Sequence, residues 1–161
     1  MEPLWRTPGD GIRESLNKKA GRYGELDAPY IVAVNATGDY HGEDDAVDAA
    51  FGSECVVITQ HPDGTFSERM DRNPDGVWWG NAGPRNTGLS AVLSAERLSP
   101  WSIGQRRARL IRSPYTSAPL PPVALGVDEL NPEDGRLVKS AGASFADIFG
   151  LPDGWPEDPN P

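Results

Sequence analysis

The sequence has almost no cysteine: Cys55 stands alone. A single thiol excludes an internal disulfide framework and any cysteine-rich zinc site, and the default compartment is the cytosol. No apolar run approaches the ~20 residues a membrane span needs, and residues 1–11 hold no hydrophobic signal segment. Bases are scarce as well, with 15 Lys and Arg against 24 Asp and Glu, a net charge of -9. Phosphate neutralisation dominates nucleic-acid affinity, so so acidic a chain is a poor general nucleic-acid binder. There is no Gly-x-Ser-x-Gly elbow, phosphate loop or dinucleotide glycine motif. Cys55 falls inside an apolar segment, where a buried thiol is inert. Serine-hydrolase, NTPase and thiol-enzyme chemistries are thereby set aside.

What is present is punctuation. With 18 Gly and 16 Pro in 161 residues, the chain reads as one folded but loop-rich body, with or without a tail. Ile12, Leu16, Ala20 and Tyr23 recur at helical period, and Gly24 is placed to end that helix. The run 30–34 is continuously apolar and predicts a central strand buried on both faces. Glu43, Asp44 and Asp45 precede a short apolar helix closed by Gly52. Residues 55–58 form a second apolar strand, with a turn at 61–64 and a hairpin arm returning to Met70. Further strands are expected at 89–93 and 108–112. Together these predict a mixed α/β fold, a central mixed sheet flanked by helices.

The prolines at 114, 119, 121 and 122 bar regular ladders, which sets a boundary: a body over 1–122 and an acidic, Pro-rich, partly ordered tail over 123–161. The tail carries eight acids against Arg136 and Lys139, a balance of -6. It contains one short helix, 144–149, and its last residues fray.

Several clusters admit two readings each. Lys18, Lys19 and Arg22 suit the negative end of a helix dipole; Lys19 and Arg22, three apart, also suit an anionic substrate. Asp39, His41, Glu43, Asp44 and Asp45 offer oxygen ligands for a divalent ion, or simply helix-capping groups. Arg85 clamps a carboxylate or phosphate, or Arg85 and Asn86 tie their loop to the body by backbone hydrogen bonds. Arg97, Arg106, Arg107, Arg109 and Arg112 are an anion footprint or a solvated strand edge. Trp78, Trp79 and Trp101 serve core or rim packing, or stack bases.

The run Lys19-Ala20-Gly21-Arg22-Tyr23-Gly24-Glu25-Leu26-Asp27-Ala28-Pro29-Tyr30-Ile31-Val32-Ala33-Val34-Asn35, with Gly83-Pro84-Arg85-Asn86-Thr87 and Ser113-Pro114-Tyr115 leading to Pro119-Leu120-Pro121, resembles the C-terminal half of a set of bacterial, often actinobacterial, proteins. Its helix-to-strand step is similar to the PD-(D/E)XK restriction-endonuclease-like fold, over about residues 12–122. The resemblance implies a partial core of that fold, in which an Asp and a Glu-x-Lys on two earlier strands bind Mg²⁺ and activate water. Only residues 1–11 stand where those strands belong, and no Glu-x-Lys follows an apolar strand upstream. The expectation is therefore a truncated, nuclease-like domain, inactive alone, with no catalytic or metal-ligating residue of its own and Mg²⁺ relevant only if the strands come in trans. Lys19, Arg22, Arg85 and Asn86 remain as phosphate or anion contacts. The alternative is a non-enzymatic interaction domain whose acidic tail engages a basic partner. Expected partners are another protein chain or a second copy; nucleic acid stays open, and a membrane is not expected. A bare sheet edge would favour strand addition or dimerisation.

Overall fold

Ile12 and Leu16 are buried while Glu14, Lys18 and Lys19 face water, so the apolar stripe does produce a helix, α1 (Pro8–Ala20), although Tyr23 falls beyond its end and is exposed. The computed structural model describes residues 8–23, 26–37, 42, 44–152 and 155; Gly24, the expected stop, lies outside them. A second helix, α2 (Asp45–Phe51), buries Ala46, Val47, Ala49 and Ala50 against α1. Small side chains let the two helices approach closely.

These helices cover one face of a five-stranded mixed sheet. Its strands are β1 (Tyr30–Ala36), β6 (Leu89–Glu96), β7 (Ala108–Arg112), β8 (Asp128–Glu133) and β9 (Arg136–Ser140), adjacent in that order. The pair β1–β6 is parallel, β6–β7 antiparallel, β7–β8 parallel and β8–β9 antiparallel. Val32, Val92, Ile111 and Leu130 face the helices, joined there by Val77 and Trp78. A smaller cluster of Ala91, Ala108, Leu110 and Val127 lies on the opposite face, under Leu120 and Phe145.

Three expectations are corrected. The strand at 30–34 is not interior: β1 is an edge strand, with Val32 buried and Ala33 exposed. Continuous apolarity fits a half-covered strand here because α1 packs on one side and, among the described residues, β6 is its only neighbour. The boundary after residue 122 does not divide the fold, since β8 and β9 complete the main sheet. Parallel strands need a crossover of about a dozen residues or more, and the proline-rich segment is that crossover. It lays Leu120 on the second core and is tied to β6 by Ser90 Oγ donating to the Ala118 carbonyl at 2.7 Å. Finally, 55–58 is not a buried strand. It belongs to β2 (Glu54–Gln60), which among the described residues pairs only with β3 (Phe66–Arg72) in a separate hairpin, and Cys55 is half-buried. The turn appears where expected: His61 N–H donates to the Thr65 carbonyl at 2.8 Å and Gly64 takes φ 84°.

A two-residue ladder joins β4 (Trp79–Gly80) to β5 (Gly83–Pro84). A 3-10 turn, Ile103–Gln105, precedes β7, and a five-residue helix, α3 (Phe145–Phe149), packs on it. Ser144 caps α3 in a reciprocal box with Asp147, which supplies partners to backbone donors otherwise left bare.

Candidate functional site

The four anion candidates fall into two places. Lys19 and Arg22 are exposed at the end of α1; the Lys19 carbonyl accepts from Arg22 N–H at 3.0 Å and Tyr30 O–H at 3.1 Å. Arg85 and Asn86 lie together on the backbone of 75–77. Arg85 Nε donates to the Gly76 carbonyl at 2.9 Å, and Asn86 Nδ2 donates to the Val77 carbonyl at 2.7 Å. Asn86 holds φ 51°, a left-handed conformation asparagine tolerates, and its amide also reaches Asn17 on α1 at 3.3 Å. No hydrogen bond or ion pair among the described residues joins one pair to the other.

Asp39, His41 and Glu43 lie outside the described residues. Asp45 accepts from Gly42 N–H at 2.8 Å, while Asp44 precedes α2 without a side-chain cap bond. Among the described residues, no group of three or more His, Cys, Asp or Glu is arranged to hold a metal ion. Trp78 is fully buried, donating Nε1–H to the Leu89 carbonyl at 3.0 Å, whereas Trp101 is exposed.

The arginine run divides by function. β7 is an inner strand, not an edge. Arg107 makes a two-pronged contact with Asp128, at 3.0 and 2.9 Å, and Arg112 does the same with Glu129, at 3.0 Å twice. Both carboxylates are buried; the Arg112–Glu129 pair staples β7 to β8, and the Arg107–Asp128 pair ties the residue just before β7 to β8. The hydrogen bonds from Arg107, with one from Gly142 N–H, outweigh burial and hold the Asp128 carboxyl down at about 2. Arg106 differs. Its Nε is buried with no hydrogen-bond partner among the described residues. It lines a cavity of about 270 Å³ with Ser94, Glu96, Gln105, Arg107 and Lys139. The sequence signalled Arg106 within the basic run; Lys139 had no such signal, because its place beside the run depends on β8 lying between β7 and β9.

The hairpin presents a second surface. Register pairs Val56 with Met70, Ile58 with Glu68 and Gln60 with Phe66, which puts Val56, Ile58, Phe66 and Met70 on one face. Each is between 53% and 64% exposed, although alternating apolar positions normally face a core. Arg72 anchors the arm, donating to Asp48 and Glu54 at 2.8 Å each. Residues 43–75, spanning α2 and the arm, carry nine acids against Arg69 and Arg72, a balance of -7. No helix among the described residues is long and apolar enough to cross a membrane. Set beside family models, curated proteins and solved structures, the chain matches none.

Proposed function

We propose that the chain is a non-enzymatic protein-interaction domain whose contact surface is the outer face of the β2–β3 arm, and that its partner is a basic amphipathic segment. The observation carrying this is the row of Val56, Ile58, Phe66 and Met70, exposed on one side of a two-stranded hairpin. A lone hairpin is marginal in water, and an apolar face on one is stabilised by a covering layer. The four side chains offer on the order of 500 Å² to a partner, the lower end of what a specific contact uses. Charge selects the occupant. Glu68 lies within the apolar row opposite Ile58, and α2 with the arm (45–51 and 54–72) carries six acids against two arginines, a balance of -4. A second copy would bring like charge to like; a segment with an apolar face and a Lys or Arg satisfies both features.

This moves the acidic contact away from the C-terminal segment. Asp128 and Glu129 are occupied by Arg107 and Arg112. The phosphodiester-handling alternative draws on the exposed Lys19 and Arg22, while the bonds of Arg85 and Asn86 to their own backbone compete with any phosphate there. Calorimetric titration with a short synthetic peptide alternating Val and Lys tests the proposal, with an alternating Val and Glu peptide as control. Binding of the first alone, lost in Ile58→Asp, is expected. Equal binding of both peptides, no binding of either, or wild-type affinity in Ile58→Asp would overturn it.

A further inference from the structure

A half-buried arginine that holds no acid is the feature least explained by folding alone. Arg107 and Arg112 are paired with Asp128 and Glu129, and Arg13, whose Nε also lacks a partner, uses its other nitrogens on Asp10, Ser53 and Asp75. Arg106 has no such occupation among the described residues. Its backbone is nonetheless held: its N–H donates to the Ile103 carbonyl at 3.2 Å, and its carbonyl accepts from Phe145 N–H at 3.5 Å, at the start of α3. The side chain is thus delivered to a cavity wall by a fixed main chain. An arginine held at a cavity wall with no acid of its own among the described residues leaves its guanidinium charge for a ligand.

The cavity's chemistry narrows that partner. Lys139, from the outermost strand, lines it and forms no ion pair among the described residues. Arg107 and Asp128 line it too and meet each other, and Lys139 also acts on the Asp128 charge, so Arg106 and Lys139 share the lining with the carboxylates of Asp128 and Glu96. A guanidinium fork and an ammonium are suited to a phosphate oxygen cluster. The volume of about 270 Å³ leaves room beside a bare phosphate. Ser94, Gln105 and Glu96 on the same wall are hydroxyl-binding groups. We infer that this cavity binds a small polyol phosphate monoester, its phosphate on Arg106 and Lys139 and its hydroxyls toward Ser94, Glu96 and Gln105. The inference rests on Arg106 and is independent of the arm.

Calorimetric titration of the full chain with glycerol phosphate, inorganic phosphate, glycerol and a single-stranded oligonucleotide tests it. Glycerol phosphate is expected to bind more tightly than inorganic phosphate, and glycerol not at all. Arg106→Gln and the exposed Lys139→Gln are each expected to weaken binding about tenfold or more, with unliganded melting temperatures kept near that of the parent. Wild-type affinity in both variants, binding of glycerol as tight as that of its phosphate, or no binding of either phosphate would overturn the inference. So would an oligonucleotide that outcompetes glycerol phosphate, since the ligand would then be a polymer backbone. If Arg106→Gln fails to fold, Lys139→Gln alone decides.

Discussion

At the residue scale, the most consequential side chains are two buried carboxylates that composition assigns to an acidic tail. Asp128 and Glu129 are each 6% exposed, and each meets an arginine, Arg107 just before β7 and Arg112 at its end. Removing one member of such a pair leaves the other charge without its counterpart. Asp128→Asn is expected to cost on the order of 1–2 kcal/mol at neutral pH, measured by urea unfolding. The pH dependence follows from the direction of the shift. The folded carboxyl sits at about 2, below its ordinary 3.8, so its contribution is complete above the ordinary value and lost as pH falls through that interval. The gap between Asp128→Asn and the parent should therefore close on acidification; a gap that persists at the acid end would show that the lost stability is not electrostatic. Trp78 is the other residue with much at stake, being fully buried with its indole N–H on the Leu89 carbonyl. Trp78→Phe should cost about 2–3 kcal/mol by lost volume and an orphaned carbonyl, read as a lower thermal midpoint.

At the element scale, the junction between α2 and the arm is built on glycines. A Cβ on Gly76 would stand 2.4 Å from the Gly52 nitrogen, and one on Gly52, which holds φ 107°, would stand 2.0 Å from the Asn73 carbonyl oxygen. Gly76→Ala must therefore displace main chain, and is expected to unfold the α2–arm junction; circular dichroism and a melting curve indistinguishable from the parent's would refute this. The arm also hangs on Arg72, through Asp48, Glu54 and the Gly52 carbonyl. Arg72→Met should speed amide exchange across β2–β3 while leaving β6–β7 protection unchanged. Equal acceleration in both would mean the arm and sheet open together. The edges of the main sheet differ in kind as well. β9 carries Arg136 and Lys139, whereas β1 has no charged residue. Charged side chains blunt a strand edge against pairing, so β1 is the less guarded of the two.

At the scale of the whole molecule, charge and topology are distributed against the reading of a body with an acidic tail. Residues 43–75 carry -7, of which the arm (54–72), outside the main sheet, holds -2. A chain ending at residue 122 would lose β8 and β9, uncover Ile111 and leave Arg107 and Arg112 without their acids. Its unfolding should lose cooperativity, read by urea titration; a sharp transition equal to the parent's would show that the sheet's last two strands are dispensable.

The local pattern was sufficient for much of this. The spacing of Ile12, Leu16 and Ala20 determined α1, the 61–64 turn determined the hairpin, and Ser144 three residues before Asp147 determined the start of α3. Each depends on groups within a few residues of one another, so chain order already holds the physics. Tertiary structure alone decided that β1 is an edge, that the arm leaves the sheet, that prolines 114–122 bridge parallel strands, and that Arg106 shares a cavity with Lys139. Strand order and charge pairing are set by contacts between distant segments, where an apolar run looks the same with one neighbour or two.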